Sequence, residues 1–254
     1  MKPHLYEPYS PIDVLPGGRV PLVLMYHRVG EVDHDPNSLT VSPWRFAQQM
    51  AWLKRRGLRG VAIGKLVDAM YSGRKKGLVG ITFDDGYGDL VDHVPGLLQH
   101  YGFSATVFVV TRRLGSVNDW DQNTPWPLLD VDGLRRLADG GFEIASHGRT
   151  HVSLAGIDPA RLREEIYGSR SDLDELLGGQ IRGFAYPYGS VDAPAQAAVL
   201  GAGYTYACAV FAPRQGHSLL ALPRIFVGER DGRVRLTAKR FLFRWHVSSR
   251  RGLF

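Results

Sequence analysis

The stretch Ile81-Thr82-Phe83-Asp84-Asp85-Gly86 closes an apolar run, Leu78 to Phe83, on two adjacent carboxylates. In a dry site both can ionise only beside a cation; otherwise one pKa must rise. Further along, His147 and His151 stand four residues apart in His-Gly-Arg-Thr-His, a spacing that aims two imidazoles the same way in a helical turn. Two histidines and one carboxylate form a first-row metal set with positions left for water and substrate. Gly148 occupies the place where the zincin motif has its glutamate, so a base must come from elsewhere. Asp84, adjacent to the candidate ligand Asp85, fits that need: one carboxylate binds a cation, and the cation lets its neighbour stay ionised.

These groups require elements to position them. Short apolar runs alternate with helical patterns, which predicts βα units and parallel strands. Strands are predicted at Val20–His27, Val79–Asp85, Ser104–Val110, Phe142–His147, Gly183–Tyr188, Thr205–Val210 and Arg224–Gly228, with a weaker one at Val61–Ile63. Helices are predicted at 43–56, 89–101, 131–139, 158–177 and 193–202, the first opened by Ser42 as cap and Pro43 in the first turn. Seven or eight strands with interleaved helices fit one α/β domain, a distorted or incomplete (β/α)7-8 barrel. In such a barrel catalytic groups gather at the carboxyl ends of the strands. Asp84 and Asp85, His147, His27 and the turn Pro187-Tyr188-Gly189 each lie at such an end. Alone, each is an ordinary turn or a histidine satisfied by the backbone; their joint placement carries the inference. The 115–130 loop is long and holds Trp120 and Trp126. With Tyr87, Tyr188 and Pro187, these are candidate substrate contacts, since aromatic rings suit sugar faces.

Thr82-Phe83-Asp84-Asp85-Gly86, Ser146-His147-Gly148-Arg149-Thr150-His151 and Phe184-Ala185-Tyr186-Pro187-Tyr188-Gly189 resemble, in order and spacing, the first three motifs of the NodB-homology polysaccharide deacetylases. The resemblance spans roughly Leu22 to Val227. It implies a metal-dependent de-N-acetylase on a distorted barrel, with Asp84 as base, Asp85, His147 and His151 as ligands, and a divalent ion, zinc first with Co2+ or Ni2+ as alternatives. Ala185 stands where many members carry arginine, the usual tether for the base, and the family's late Leu-x-His is not found. Leu24-Met25-Tyr26-His27 near the N-terminus is instead similar to the permuted branch that deacetylates poly-N-acetylglucosamine. On that basis His27 is assigned as the general acid, with His217 as the runner-up. The implied reaction is hydrolysis of an acetamide on an N-acetylated carbohydrate; a non-catalytic carbohydrate-binding barrel and a C–N hydrolase of a non-sugar amide are the alternatives.

The 254 residues are 22% charged and 44% hydrophobic, an ordinary soluble composition, and the lone Cys208 inside an apolar run reads as a buried structural thiol. Residues 1–19 read as an irregular lead-in without the apolar core of a signal peptide, 20–230 as the barrel, and a cytoplasmic location is expected. The net charge of +6 is concentrated late: from Arg224 to Phe254 nine Lys or Arg face only Glu229 and Asp231. Residues 231–254 predict a basic amphipathic helix, with Val234, Ala238, Phe241, Leu242 and Trp245 on one face. It is read either as a membrane-surface contact or as a last helix covering the barrel. No nucleic-acid partner is expected, and the oligomeric state is left open.

Overall fold

The computed structural model describes residues 15, 20–31, 35–121, 125–179, 181–210 and 218–249, with side chains as far as Trp245. The lead-in apart from Leu15 and Val20 onward, and His217, lie outside the described residues.

The apolar runs form a parallel sheet whose strands are buried on both faces, as helices on the outside require. In chain order the strands are β1 (Val23–Tyr26), β2 (Arg28–Val29), β3 (Thr40–Val41), β4 (Arg59–Val61), β5 (Leu78–Phe83), β6 (Thr106–Val109), β7 (Glu143–Ser146), β8 (Gly183–Ala185), β9 (Tyr206–Ala209), β10 (Leu222–Pro223) and β11 (Ile225–Phe226). The sheet runs β10-β9-β8-β7-β6-β5-β1-β11, with β4 also on β5; β2 and β3 pair separately. The strand expected over Arg224–Gly228 forms as β11 and is preceded by a second short strand, β10, that the sequence did not suggest. β10 pairs with β9 through Leu222 and Cys208, and β11 pairs with β1 through Ile225 and Leu24. The one residue between the two strands is Arg224. This short segment touches both edges of the sheet and nearly closes it into a barrel.

The outer helices are α1 (Pro43–Arg55), α2 (Ile63–Tyr71), α3 (Leu90–Tyr101), α4 (Val131–Asp139), α5 (Pro159–Arg163), α6 (Ser169–Leu177), α7 (Ala193–Gly201) and α8 (Arg233–Ser249). Ser42 caps α1 by accepting from Arg45 N, and Asp130 and Asp192 cap α4 and α7 in the same way. The predicted helix over 158–177 is interrupted by a π turn, Glu164–Gly168, between α5 and α6. α2 was not predicted from the sequence. Its first turn is held by tertiary contacts rather than a local cap, Ile63 N donating to Thr106 Oγ1 and Gly64 N to Glu143 Oε2.

Cys208 is buried, and burial pushes its thiol up to about 12, so it is inert at neutral pH. Among the described residues no helix is long and apolar enough to cross a membrane.

Candidate metal centre and active site

Gly86 holds a φ of 76°, and a Cβ there would meet Val109 Cγ1 at 2.8 Å, so only glycine lets the chain turn sharply after the two carboxylates. Asp85 itself has a φ of 70°, a left-handed conformation that aspartate tolerates better than most residues. The turn sends the two carboxylates in different directions.

Asp85 faces the histidines. Its Oδ1 lies 3.4 Å from His147 Nε2 and 3.2 Å from His151 Nε2, and one ligand atom from each residue falls within 4.8 Å of the others. All three side chains are buried. Bonds of about 2.0–2.1 Å to a tetrahedral zinc place neighbouring ligand atoms about 3.3 Å apart, which is the spacing observed between carboxylate and imidazoles. The hydrogen bonding agrees. His147 Nδ1 stands 2.7 Å from the carbonyl oxygen of Ala185, so that nitrogen must carry the proton. In the neutral ring Nε2 then presents a lone pair toward a carboxylate oxygen, and two acceptors face each other unless a cation or a second proton lies between them. Asp85 and Asp84 indeed pull His147 upward against the opposing effect of burial. Burial alone would raise Asp85, yet His151 and His147 outweigh it and hold the carboxyl well below its ordinary value. The donor set and its spacing fit a divalent metal.

Asp84 faces the other way, toward the junction of β10 and β11. Arg224 grips it with two parallel bonds, Nη1 to Oδ1 at 2.5 Å and Nη2 to Oδ2 at 2.7 Å, and Nη1 also reaches Thr82 Oγ1 at 3.2 Å. Both partners are buried. Burial would raise Asp84, but the Arg224 guanidinium, with His147 and His27, holds it below the usual carboxylate range. The arginine on Asp84 thus comes from between β10 and β11, while Ala185 contributes its carbonyl to His147.

A third carboxylate, not singled out by the sequence, organises the loop between the histidines. Glu165, on the π turn and 1% exposed, accepts from Arg149 N at 2.8 Å and Thr150 N at 2.9 Å through Oε2, and from Thr150 Oγ1 through Oε1. π turns recur at functional sites because the extra residue redirects a side chain. Replacing Glu165 with alanine strands two backbone donors in the segment that sets the His147-to-His151 geometry. Metal affinity, measured by competition with a chromogenic chelator, should fall by about 10–100-fold, and Glu165→Gln, which keeps an acceptor, should recover most of it.

Asp84, Asp85, His147 and His151 open on a cavity of about 240 Å³ whose wall also includes His27, Trp120, Asp121 and Tyr188. His27 packs on Phe226 with ring centroids 5.9 Å apart, and its Nδ1 is buried without a hydrogen-bond partner among the described residues. Burial pushes its pKa down while Asp85 and Asp84 pull it up, and burial prevails. Trp120 stacks on His151 at 4.2 Å, and Tyr188, 58% exposed, meets the same imidazole edge-on at 4.7 Å. Pro187 opens the tight turn, Pro187–Gly189, that holds Tyr188 at a φ of 59°. Three of the four non-glycine residues with positive φ among those described, Asp85, His151 and Tyr188, belong to this site, the clustering expected where strain is kept for function.

Two of the expected substrate contacts, Tyr87 and Trp126, are not part of the cavity wall. Tyr87 is fully buried, its hydroxyl accepting from Asn118 Nδ2 at 3.3 Å. Trp126 lies under the Arg28 guanidinium, 3.4 Å from its ring centroid. Trp126 ties the 115–130 loop to Arg28, and Tyr87 meets that loop through Asn118 while its hydroxyl also interacts with the Asp85 carboxylate.

A family model described as polysaccharide deacetylase matches residues 72–207. The chain belongs to the polysaccharide deacetylase family. Among curated relatives, the Bacillus subtilis protein YxkH is 29% identical over 170 residues, covering 66% of this chain and 56% of YxkH. The poly-beta-1,6-N-acetyl-D-glucosamine N-deacetylase of Staphylococcus epidermidis is 26% identical over 194 residues, covering 67% of this chain and 65% of its own length. The chain thus spans between half and two thirds of these relatives. In fold it is similar to the Streptococcus pyogenes deacetylase PplD, solved in complex with acetate, with a TM-score of 0.73 at 22% identity over 87% of this chain and 97% of that one. The family match includes Asp84, Asp85, His147, His151 and Tyr188, whereas His27 and Arg224 lie on either side of it.

Proposed function

We propose that this family member hydrolyses the acetamide of an N-acetylated sugar, in a polysaccharide or glycoconjugate, releasing acetate and leaving a free amine. The observation that supports the reading best is one cavity shared by a three-residue metal cradle and a separate, ionised carboxylate. Related proteins named as a poly-beta-1,6-N-acetyl-D-glucosamine N-deacetylase and a chitin deacetylase support the substrate class.

Asp85, His147 and His151 would hold the ion, for which zinc suits a cradle of two imidazoles and one carboxylate, with cobalt or nickel as substitutes. Bound there, the ion supplies Lewis-acid polarisation of the carbonyl and a water of lowered pKa. Asp84 is the base. Arg224 weakens it as a base but keeps it ionised, and each carboxylate oxygen retains a lone pair for the attacking water. A backbone N–H near Tyr188 would stabilise the oxygen on which charge develops. The amine leaves readily only when protonated, and His27, which lines the same cavity, would donate that proton from its protonated form. The balance is one amide and one water consumed, one carboxylic acid and one amine formed. Trp120 and Tyr188 flank the sugar ring. His27→Ala should therefore lower kcat by about 10²-fold with little change in KM; His217→Ala should not.

The deciding experiment strips the protein with a chelator. It then adds zinc, cobalt or nickel and measures acetate release from N-acetylglucosamine oligomers, nucleotide-linked N-acetyl sugars and lipid-linked N-acetyl sugars. Acetate that appears only with metal supports the proposal. Stoichiometric metal with no acetate from any substrate overturns it, and retained oligomer binding in that case leaves a carbohydrate-binding barrel.

A further inference from the structure

We propose that α8 is an in-plane docking helix for a bilayer surface carrying anionic lipids. Of the large hydrophobic side chains that stand exposed among the described residues, four lie on this one helix: Val234 at 83%, Phe241 at 70%, Trp245 at 64% and Leu242 at 57%. At 3.6 residues per turn they occupy an arc of about 100°, with Ala238 in its middle. The barrel does not use that face. Leu236, 3% exposed, enters the core from the opposite side of the helix, and Phe243 and Arg240 on the same inner side border a cleft with Pro21, Leu22 and Leu78. The sequence pattern alone would turn the apolar stripe toward the barrel; the structure turns it outward.

Charge identifies the occupant. Arg233 and Arg244 line one edge of the stripe and Arg235 the other, and none of them has an ion pair or side-chain hydrogen bond among the described residues. Arg240, on the inner side, has none either; its pKa is lowered by burial and by Arg244 and Arg56, the mark of cations crowded without a carboxylate. From Gly232 to Phe254 there are seven Lys or Arg and no Asp or Glu. A second copy of the chain would press this cationic face against itself. An apolar stripe from Val234 to Trp245, about 18 Å long, that carries tryptophan and phenylalanine and has Arg233 and Arg244 on one edge and Arg235 on the other, is the pattern of a helix lying at the headgroup boundary. Leu242 and Arg235, on the stripe's edge, also border a cavity of about 650 Å³ that extends to Phe226. Phe226 in turn packs against His27, with ring centroids 5.9 Å apart.

The test uses the full chain in sedimentation with vesicles of phosphatidylcholine alone or mixed equally with phosphatidylglycerol. Binding is expected to the mixed vesicles only, reduced at least tenfold by 0.5 M NaCl. It should also fall at least tenfold in Phe241→Ser/Trp245→Ser and in Arg233→Gln/Arg235→Gln/Arg244→Gln, with circular dichroism and metal content unchanged because every altered side chain is exposed. Failure of the parent protein to sediment with mixed vesicles at low salt overturns the proposal, as does equal binding by parent and variants. A dimer that dissociates in Phe241→Ser/Trp245→Ser assigns the face to a second copy, and capture by an acidic protein without vesicle binding assigns it to a protein partner; both also overturn it. None of these readouts depends on turnover at the barrel mouth.

Discussion

Asp84→Asn is expected to cut kcat/KM for acetamide hydrolysis by about 10²–10⁴-fold, the range for loss of a positioned base, while the metal content of the folded protein stays near that of the parent. The two carboxylates of the Asp84-Asp85 pair point into different neighbourhoods, so chemistry and metal binding separate cleanly. Asp85 alone shares an oxygen with both imidazoles, and Asp84 alone is gripped by Arg224. His147→Ala is the control: it removes a ligand and should lower metal content and turnover together. Asparagine also leaves Arg224 buried without its counter-charge, so Asp84→Asn should melt at a lower temperature than the parent. Kinetics therefore belong well below that melting point, on protein whose metal content has been measured by plasma emission. Activity within tenfold of the parent, with metal bound, would remove Asp84 as the base.

The parts of the site that could be read from sequence are those where a local signal and a strand end coincide. A four- to six-residue apolar run stopping on a charge or a histidine is visible without knowing what the strand pairs with, and this located Asp84, Asp85, His147 and His27. What escaped depends on partners distant in the chain. Arg224 sits 140 residues from Asp84 and within one residue of two strands. In the sequence it counts as the first cation of a basic tail, although a charge between Pro223 and Ile225 in an apolar run is itself a signal of a buried pair. Glu165 is one of several acidic residues in a helical pattern, and only the π turn distinguishes it. Tyr87 and Trp126 show the opposite case, side chains expected at the cavity that do not line it. An aromatic ring in a long loop suits a sugar, yet it suits a buried asparagine or a guanidinium equally, and periodicity does not separate these. α8 combines both cases: its amphipathic pattern is plain, but which face the barrel takes was decided by Leu236 and the cleft behind Phe243.

Arg224→Met should destabilise the protein by about 3–5 kcal/mol, because the deletion leaves the Asp84 carboxylate buried without its partner. The loss should exceed that of the double variant Asp84→Asn/Arg224→Met, in which no uncompensated charge remains; a double-mutant cycle in urea measures the coupling. The pH dependence, followed on metal-free protein, gives an independent signature. In the parent the folded-state pKa of Asp84 is held below its unfolded value by Arg224 against the effect of burial. Its contribution to stability is complete above the unfolded value of about 3.9 and is lost as pH falls toward the folded one. Without Arg224 the strongest downward influence is gone while burial still raises the group, so the folded pKa rises and proton uptake costs the folded variant less than it costs the parent. The stability gap between parent and Arg224→Met should accordingly narrow as pH falls from 7 toward 4. A gap that stays constant over that range would show that Arg224 acts through packing alone, and the account of Asp84 as a carboxylate kept ionised by a guanidinium from the closing strand would fail with it.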